Sequence, residues 1–183
     1  LDGLGAARET TALTTGFELC HPGGKLDKRL PIASSSPLHF FAGCWFHPGS
    51  TVLHHRSLFD RIGPFDETMQ RLEDVDWFIR LAMAGGRLDT LPQIMTTINV
   101  GQKASYGKVK RSGNRVLAKY KNSSLDVTKS AMDNLASYLH LEYAASAIKR
   151  ERRFIKGAYH LATSFLIRPR SQLQLYRFWN VPE

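Results

Sequence analysis

The segment QRLEDVDWFIRLAMAGG, residues 70–86, decides how the chain is read. It places Glu73, Asp74 and Asp76 within four positions at the start of an otherwise apolar run. Val75, Phe78, Ile79 and Ala82 recur at helical spacing as one stripe, and Trp77, Leu81 and Ala84 form a second. A helix that is apolar on two sides is largely buried. Gly85-Gly86 stops it, as a left-handed cap requires. The spacing therefore predicts a buried helix over residues 73–84, with its acidic start pointing from the core toward a crevice. Open α/β sheets place ligands at such edges.

The carboxylates do not read alike. Acidic residues in a first helical turn are favoured by about 0.3–1 kcal/mol through the free N–H groups and the dipole. Asp76 also sits four residues before Arg80, a pairing that contributes about 0.2–0.5 kcal/mol. Asp76 is thereby assigned to the helix. Glu73 and Asp74 at a crevice are placed for proton transfer or for hydrogen bonding to a ligand, with helix capping as the competing reading. Asp74-Val75-Asp76 is literally D-x-D, but on a helix residues i and i+2 point about 200° apart. They do not chelate one ion, and no metal ligand is assigned in the chain.

Outward from this helix the pattern is mixed α/β. Residues 1–12 read as the end of a helix, ALTTGFELC (12–20) as a strand, and HPGG (21–24) as a turn. Residues 25–37, with Pro31, Pro37 and a run of serines, read as a loop. LHFFAGCWF (38–46) reads as a buried helix or an irregular core segment. STVLHH (50–55) is a short strand, so His54 and His55 face opposite ways and do not share a metal. Ser57-x-x-Asp60 matches a capping box for a short helix that ends at Gly63-Pro64. RLDTL, Pro92 and QIMTTINV read as a strand interrupted and resumed, ending near Val100. GQKASYGKVKRSGNR (101–115) reads as a basic loop. From Ser124 the pattern turns helical, with Leu135, Tyr138 and Leu139 on one stripe. Phe154, Ala158, Leu161, Ala162 and Phe165 mark another, ended by Arg168-Pro169. The division is an α/β unit over 1–120 and a helical extension over 121–183.

The 183 residues, 43% apolar, suffice for a real core and exclude a wholly disordered chain. No run of about 18 apolar residues is present to span a bilayer. No basic segment leads into an apolar one at the N-terminus, so nothing there reads as a signal peptide. Cys20 and Cys44 form no C-x-x-C, which points to a reduced, cytoplasmic setting. Charge is uneven: residues 1–100 carry 9 Lys/Arg against 11 Asp/Glu, and residues 101–183 carry 16 against 5. The second half is built to meet something anionic or to present a solvated basic face. No nucleic-acid recognition motif accompanies that charge.

STVLHHRSLFDRIGPFDETMQRLEDVDWFIRLAMAGG (50–86) resembles the second half of bacterial family 2 glycosyltransferases with the GT-A fold. The matching pieces are the strand Thr51–Leu53, Arg56, Phe59, the turn Ile62–Glu67, the pair Glu73-Asp74, Trp77, and Arg80 through Gly85. The resemblance implies a GT-A-like mixed sheet with flanking helices. It also implies a hexosyl-type transfer from a nucleoside diphosphate sugar to a saccharide or lipid-linked acceptor, in the making of a cell-surface polysaccharide. Asp74 would be the general base for an inverting displacement, Glu73 its neighbour at the acceptor, and Trp77 and Arg80 packing and ion-pair positions. The family's nucleotide-binding strands and metal-binding D-x-D would precede Leu1, so a divalent cation (Mn or Mg) would be held mainly by residues outside this chain. Where relatives carry Arg and His near the diphosphate, this chain has Asn99 and Gln102; Ser105 fits, and Lys103 and Lys108 would supply the phosphate contacts.

Two further expectations follow. KRERR (149–153) with the amphipathic segment behind it suits either an anionic membrane surface, on the inner face, or a helix packed back on the domain. A sheet without its nucleotide-binding strands exposes an unpaired edge, favouring self-association or a rearranged sheet. The competing class for the whole chain is a non-catalytic binding or assembly module with a basic, membrane- or polymer-facing surface.

Overall fold

The computed structural model describes residues 10–101, 104–123 and 127–169, and the backbone of 179–180. It is mixed α/β, as the pattern predicts. The central strand β1 (Thr11–Cys20) takes the place of the helix end expected up to residue 12; residues 1–9 lie outside the described residues. Along one edge β1 pairs in parallel with β4 (Arg87–Asn99). Its other edge is shared by two antiparallel neighbours: β3 (Val52–His54) at residues 12–14 and β2 (Leu26–Pro31) at residues 17–20. Trp179–Asn180, strand β5, pairs with the end of β2. Among the described residues, the outer edge of β4 meets only an isolated bridge between Leu88 and Ser34.

The interruption expected at Pro92 is a bulge. The register passes from Thr15 opposite Leu91 to Gly16 opposite Ile94, leaving Pro92 and Gln93 outside the ladder. Proline lacks the N–H a ladder needs, so it sits where pairing is suspended. Gly16 makes room for the detour, because a Cβ there would come within 3.0 Å of the Gln93 carbonyl oxygen.

Three sequence expectations are corrected. Residues 25–37 are not all loop: the HPGG turn folds β2 back onto β1, and the ladder with β1 recruits a segment of weak strand propensity. Residues 106–115 are not a basic loop but the first part of α5 (Tyr106–Lys121). Val109, Ser112, Gly113, Val116 and Tyr120 are its buried face, and the cations lie largely on its solvated side. Gly113 looks like a breaker in the sequence, yet the helix needs it: a Cβ would meet the Tyr143 hydroxyl at 2.2 Å. Ser57 makes no capping box; its hydroxyl pairs with His55 Nδ1 at 2.7 Å, and α3 (Ser57–Ile62) starts after Arg56 without a side-chain cap.

The aromatic run resolves as core. α1 (Pro37–Phe40) is one short turn, followed by irregular backbone that leads to α2 (Pro48–Thr51). Phe40, Phe41, Trp45 and Phe46 are buried; Phe40 and Phe46 pack on Phe78 of α4 (Glu73–Met83), and Trp45 Nε1 donates to the Ile32 carbonyl at 2.8 Å. Gly85, with φ 76°, ends α4 as expected. α6 (Lys129–Ala145) continues through a π-helical turn (Ser146–Arg150), and α7 (Phe154–Ile167) folds back along it. One apolar cluster contains residues of the sheet, α4, α5 and α6, so it crosses position 120. Among the described residues, no helix is long and apolar enough to cross a membrane.

Candidate functional site

The start of α4 is built under backbone strain. Leu72, which precedes Glu73, is left-handed with φ 66° and ψ 14°. A branched apolar residue there costs on the order of 1–3 kcal/mol and persists only when its surroundings over-determine it. Burial of the Leu72 side chain in the main cluster supplies that constraint. Behind it, the turn at residues 62–65 is clamped from α4. Trp77 Nε1 donates to the Gly63 carbonyl at 2.9 Å, and Arg80 reaches the carbonyls of Ile62 (2.6 Å) and Pro64 (2.7 Å). Trp77 also packs on Phe59, Phe65 and Phe78, and Arg80 pairs with Asp76, the packing and ion-pair roles expected of them.

The two aspartates separate as their helical spacing requires. Asp76 is 0% exposed and saturated: Arg80 Nε lies 3.0 Å from Oδ2, Lys119 Nζ 2.7 Å from Oδ1, and the Tyr120 hydroxyl donates to Oδ1 at 3.0 Å. Its carboxylate ties α4 to α5. Asp74 faces different company. Its Oδ1 accepts the adjacent Val75 N–H at 2.8 Å. Burial raises its pKa, and the charge of Glu73 adds to the rise, against the Val75 N–H and Arg71.

The charge of Asp74 acts on Cys44 and His47 of the segment after α1 and on Tyr138 of α6. Burial first, then Asp74 and Glu142, pushes the Cys44 thiol up, so it stays protonated and inert as a nucleophile. Burial also holds His47 below its ordinary value, against the pull of Asp74, and keeps the Tyr138 hydroxyl neutral. Gly43, with φ 99°, lets Tyr138 approach: a Cβ there would lie 2.4 Å from its ring. Glu73 Oε2 and His47 Nδ1 are buried without a hydrogen-bond partner. The arrangement therefore offers one carboxylate with raised basicity, a second with an uncommitted oxygen, and neutral groups around them.

A cationic groove lies on the N-terminal side of the same segment. It encloses about 410 Å³ between the 68–70 turn and α5, and is lined by Thr68, Gln70, Lys108, Arg111, Ser112 and Arg115 among others. Lys108, Arg111 and Arg115 share a face of α5, and Ser112 Oγ accepts the Arg71 N–H at 3.3 Å. Lys108 thus joins Arg111 and Arg115, which the sequence reading missed; treating 101–115 as loop hid their helical register. Ser105 goes elsewhere. It is the N-cap of α5 without a side-chain cap, and the Tyr106 N–H at that helix start donates to Glu151 Oε1 at 2.9 Å. Lys103 lies outside the described residues.

The strand expected over residues 50–55 is shorter, β3 ending at His54 with His55 beyond it, and the two rings take different partners. His54 packs edge-on against Phe59 and tilted against Trp77, and His55 bonds Ser57. Among the described residues no group of three or more His, Cys, Asp or Glu side chains is arranged to hold a metal ion. Comparison of the chain with protein-family models, with curated proteins and with solved structures finds no match.

Proposed function

We propose that the chain is the acceptor-side part of an inverting glycosyltransferase of GT-A-like architecture, with Asp74 as general base. The observation that carries this reading is the division of labour at the start of α4. Asp76 is fully consumed by Arg80, Lys119 and Tyr120, whereas Asp74, two residues away, has one neighbouring N–H partner and a raised pKa. A desolvated carboxylate with raised basicity suits proton abstraction. As the acceptor oxygen attacks the anomeric carbon, Asp74 takes its proton, and the bond from that carbon to the nucleoside diphosphate breaks with inversion. Glu73 Oε2, buried and unpartnered, is an acceptor for a second hydroxyl of the incoming saccharide or lipid-linked sugar.

The donor's nucleotide, and the Mn or Mg ion that accompanies it, fall mainly to residues outside this chain. Lys108, with Arg111 and Arg115, supplies cations toward phosphate oxygens from this part. The groove also supports the second reading, a non-catalytic module for an anionic polymer. The test is transfer by the full-length protein across a panel of nucleotide sugars with Mn²⁺ or Mg²⁺, beside Asp74→Asn. The expected loss in the variant is about 10²–10⁴-fold with donor binding retained, the range of a removed general base. Unchanged turnover would return Asp74 to helix capping; donor-independent binding of an anionic polymer without turnover would favour the module.

A further inference from the structure

α7 is packed inside out. Its buried residues are Gly157, His160 and Ser164, while Phe154, Ile155, Tyr159, Phe165 and Leu166 are exposed, Ile155 at 91% and Leu166 at 79%. At helical spacing these exposed positions form one continuous apolar stripe. The face turned to the protein is held by small and polar contacts. Gly157 lets Ile148 approach so closely that a Cβ would lie 2.2 Å from it, Ser164 bonds Ser137 at 2.9 Å, and His160 bonds both the Tyr106 hydroxyl (3.0 Å) and His140 (3.1 Å). Small and hydrogen-bonding residues between helices, with apolar residues outward, are the distribution expected where the outer solvent is lipid.

Charge says which apolar medium. Residues 149–156 carry five Lys/Arg against Glu151 alone, and Lys149, Arg150, Arg152 and Arg153 are exposed. Arg152, Arg153 and Lys156 line a shallow hollow of about 650 Å³ together with Phe154, Ile155 and Tyr159. Cations and apolar side chains thus share one surface, which a second copy of the chain would not neutralise. We infer that α7 is an interfacial helix that docks the protein on an anionic lipid bilayer, its stripe in the acyl boundary and the 149–153 cations at the headgroups. Its 14 residues span about 21 Å, short of the roughly 20 residues a crossing needs, so it lies along the surface. The inference rests on α7 and the basic segment 149–153, not on the assignment of Asp74.

The test is flotation of the full-length protein with phosphatidylglycerol–phosphatidylcholine vesicles and with phosphatidylcholine vesicles. The protein should float with the anionic vesicles, at least tenfold less with the neutral ones, and less as salt rises. An Ile155→Glu/Leu166→Glu variant and a Lys149→Glu/Arg152→Glu variant should each lose at least tenfold in binding while keeping the native melting temperature within a few degrees. Asp74→Asn should float as the unmodified protein does, which separates this result from the transferase assay. Equal flotation with neutral vesicles, none with anionic ones, or a double-Glu variant that floats undiminished overturns the inference. So does an Ile155→Glu/Leu166→Glu variant whose only change is a smaller oligomer, since a second copy would then own the stripe.

Discussion

α4 and α7 are both rich in apolar residues, yet they meet opposite environments. α4 buries Val75, Trp77, Phe78, Ile79 and Leu81 against the aromatics of the 40–46 segment and the sheet. α7 buries glycine, histidine and serine and turns its aromatics outward. What lies opposite each helix makes the difference. The surroundings of α4 are apolar rings, with one ionic anchor at Asp76. α6 offers α7 the Ser137 hydroxyl and the His140 imidazole, and only small or hydrogen-bonding residues satisfy those groups at close approach. Apolar content therefore marks a face that needs covering and leaves open what covers it.

The contrast is broken most forcefully at the ionic anchor. Asp76→Ala leaves Arg80 and Lys119 without their buried partner, and the expected loss is about 3–5 kcal/mol in denaturant unfolding. Asp74→Asn should behave oppositely. Burial raises the pKa of Asp74, so the native state binds that proton more tightly than the unfolded state, and its ionised form opposes folding as pH rises above the ordinary carboxylate value. The variant should be as stable as the parent at pH 7, or more so; a loss comparable to that of Asp76→Ala would show that Asp74 is structural.

A matched pair of truncations sharpens the packing half of the comparison. Ile79→Ala should cost about 2–5 kcal/mol, whereas Ile155→Ala should stay within about 0.5 kcal/mol. Equal losses in the two variants would mean that α7 buries its stripe in the isolated protein. An acid response is expected in the seam under α7. His160 is 5% exposed and its pKa is held down to about 4, first by burial, then by the neighbouring His140, Lys110 and Lys156. The unfolded chain takes up that proton near pH 6.5 and the native one only near 4, so the contribution is complete above pH 6.5 and is lost as pH falls through 4. Thermal unfolding between pH 7 and 4 should fall less steeply in His160→Gln than in the parent.

Much of the site was legible in residues. The 3.6-residue spacing behind the acidic cluster located α4, and the two-residue offset between Asp74 and Asp76 announced that they would part company. Pro92 marked its bulge, because a residue without an N–H advertises where a ladder stops. Other elements were not legible, for definite reasons. α5 was hidden by Ser112-Gly113-Asn114, which read as local breakers, although Gly113 is required because Tyr143 fills the space a Cβ would take. β2 has little strand character of its own and is recruited by its turn and by β1. Arg111 and Arg115 stayed out of view until α5 had its register.

By itself, then, the sequence determined which segments are apolar, where α4 starts and stops, and that its carboxylates fall on different sides, because these follow from covalent spacing and local backbone preference. The tertiary structure alone decided that the Ser105 end of α5 is filled by Glu151, that Lys108 joins a groove with Arg111 and Arg115, and that the stripe of α7 faces outward. Each of these depends on a partner many residues distant in the chain, and no local periodicity encodes the group that will be waiting there.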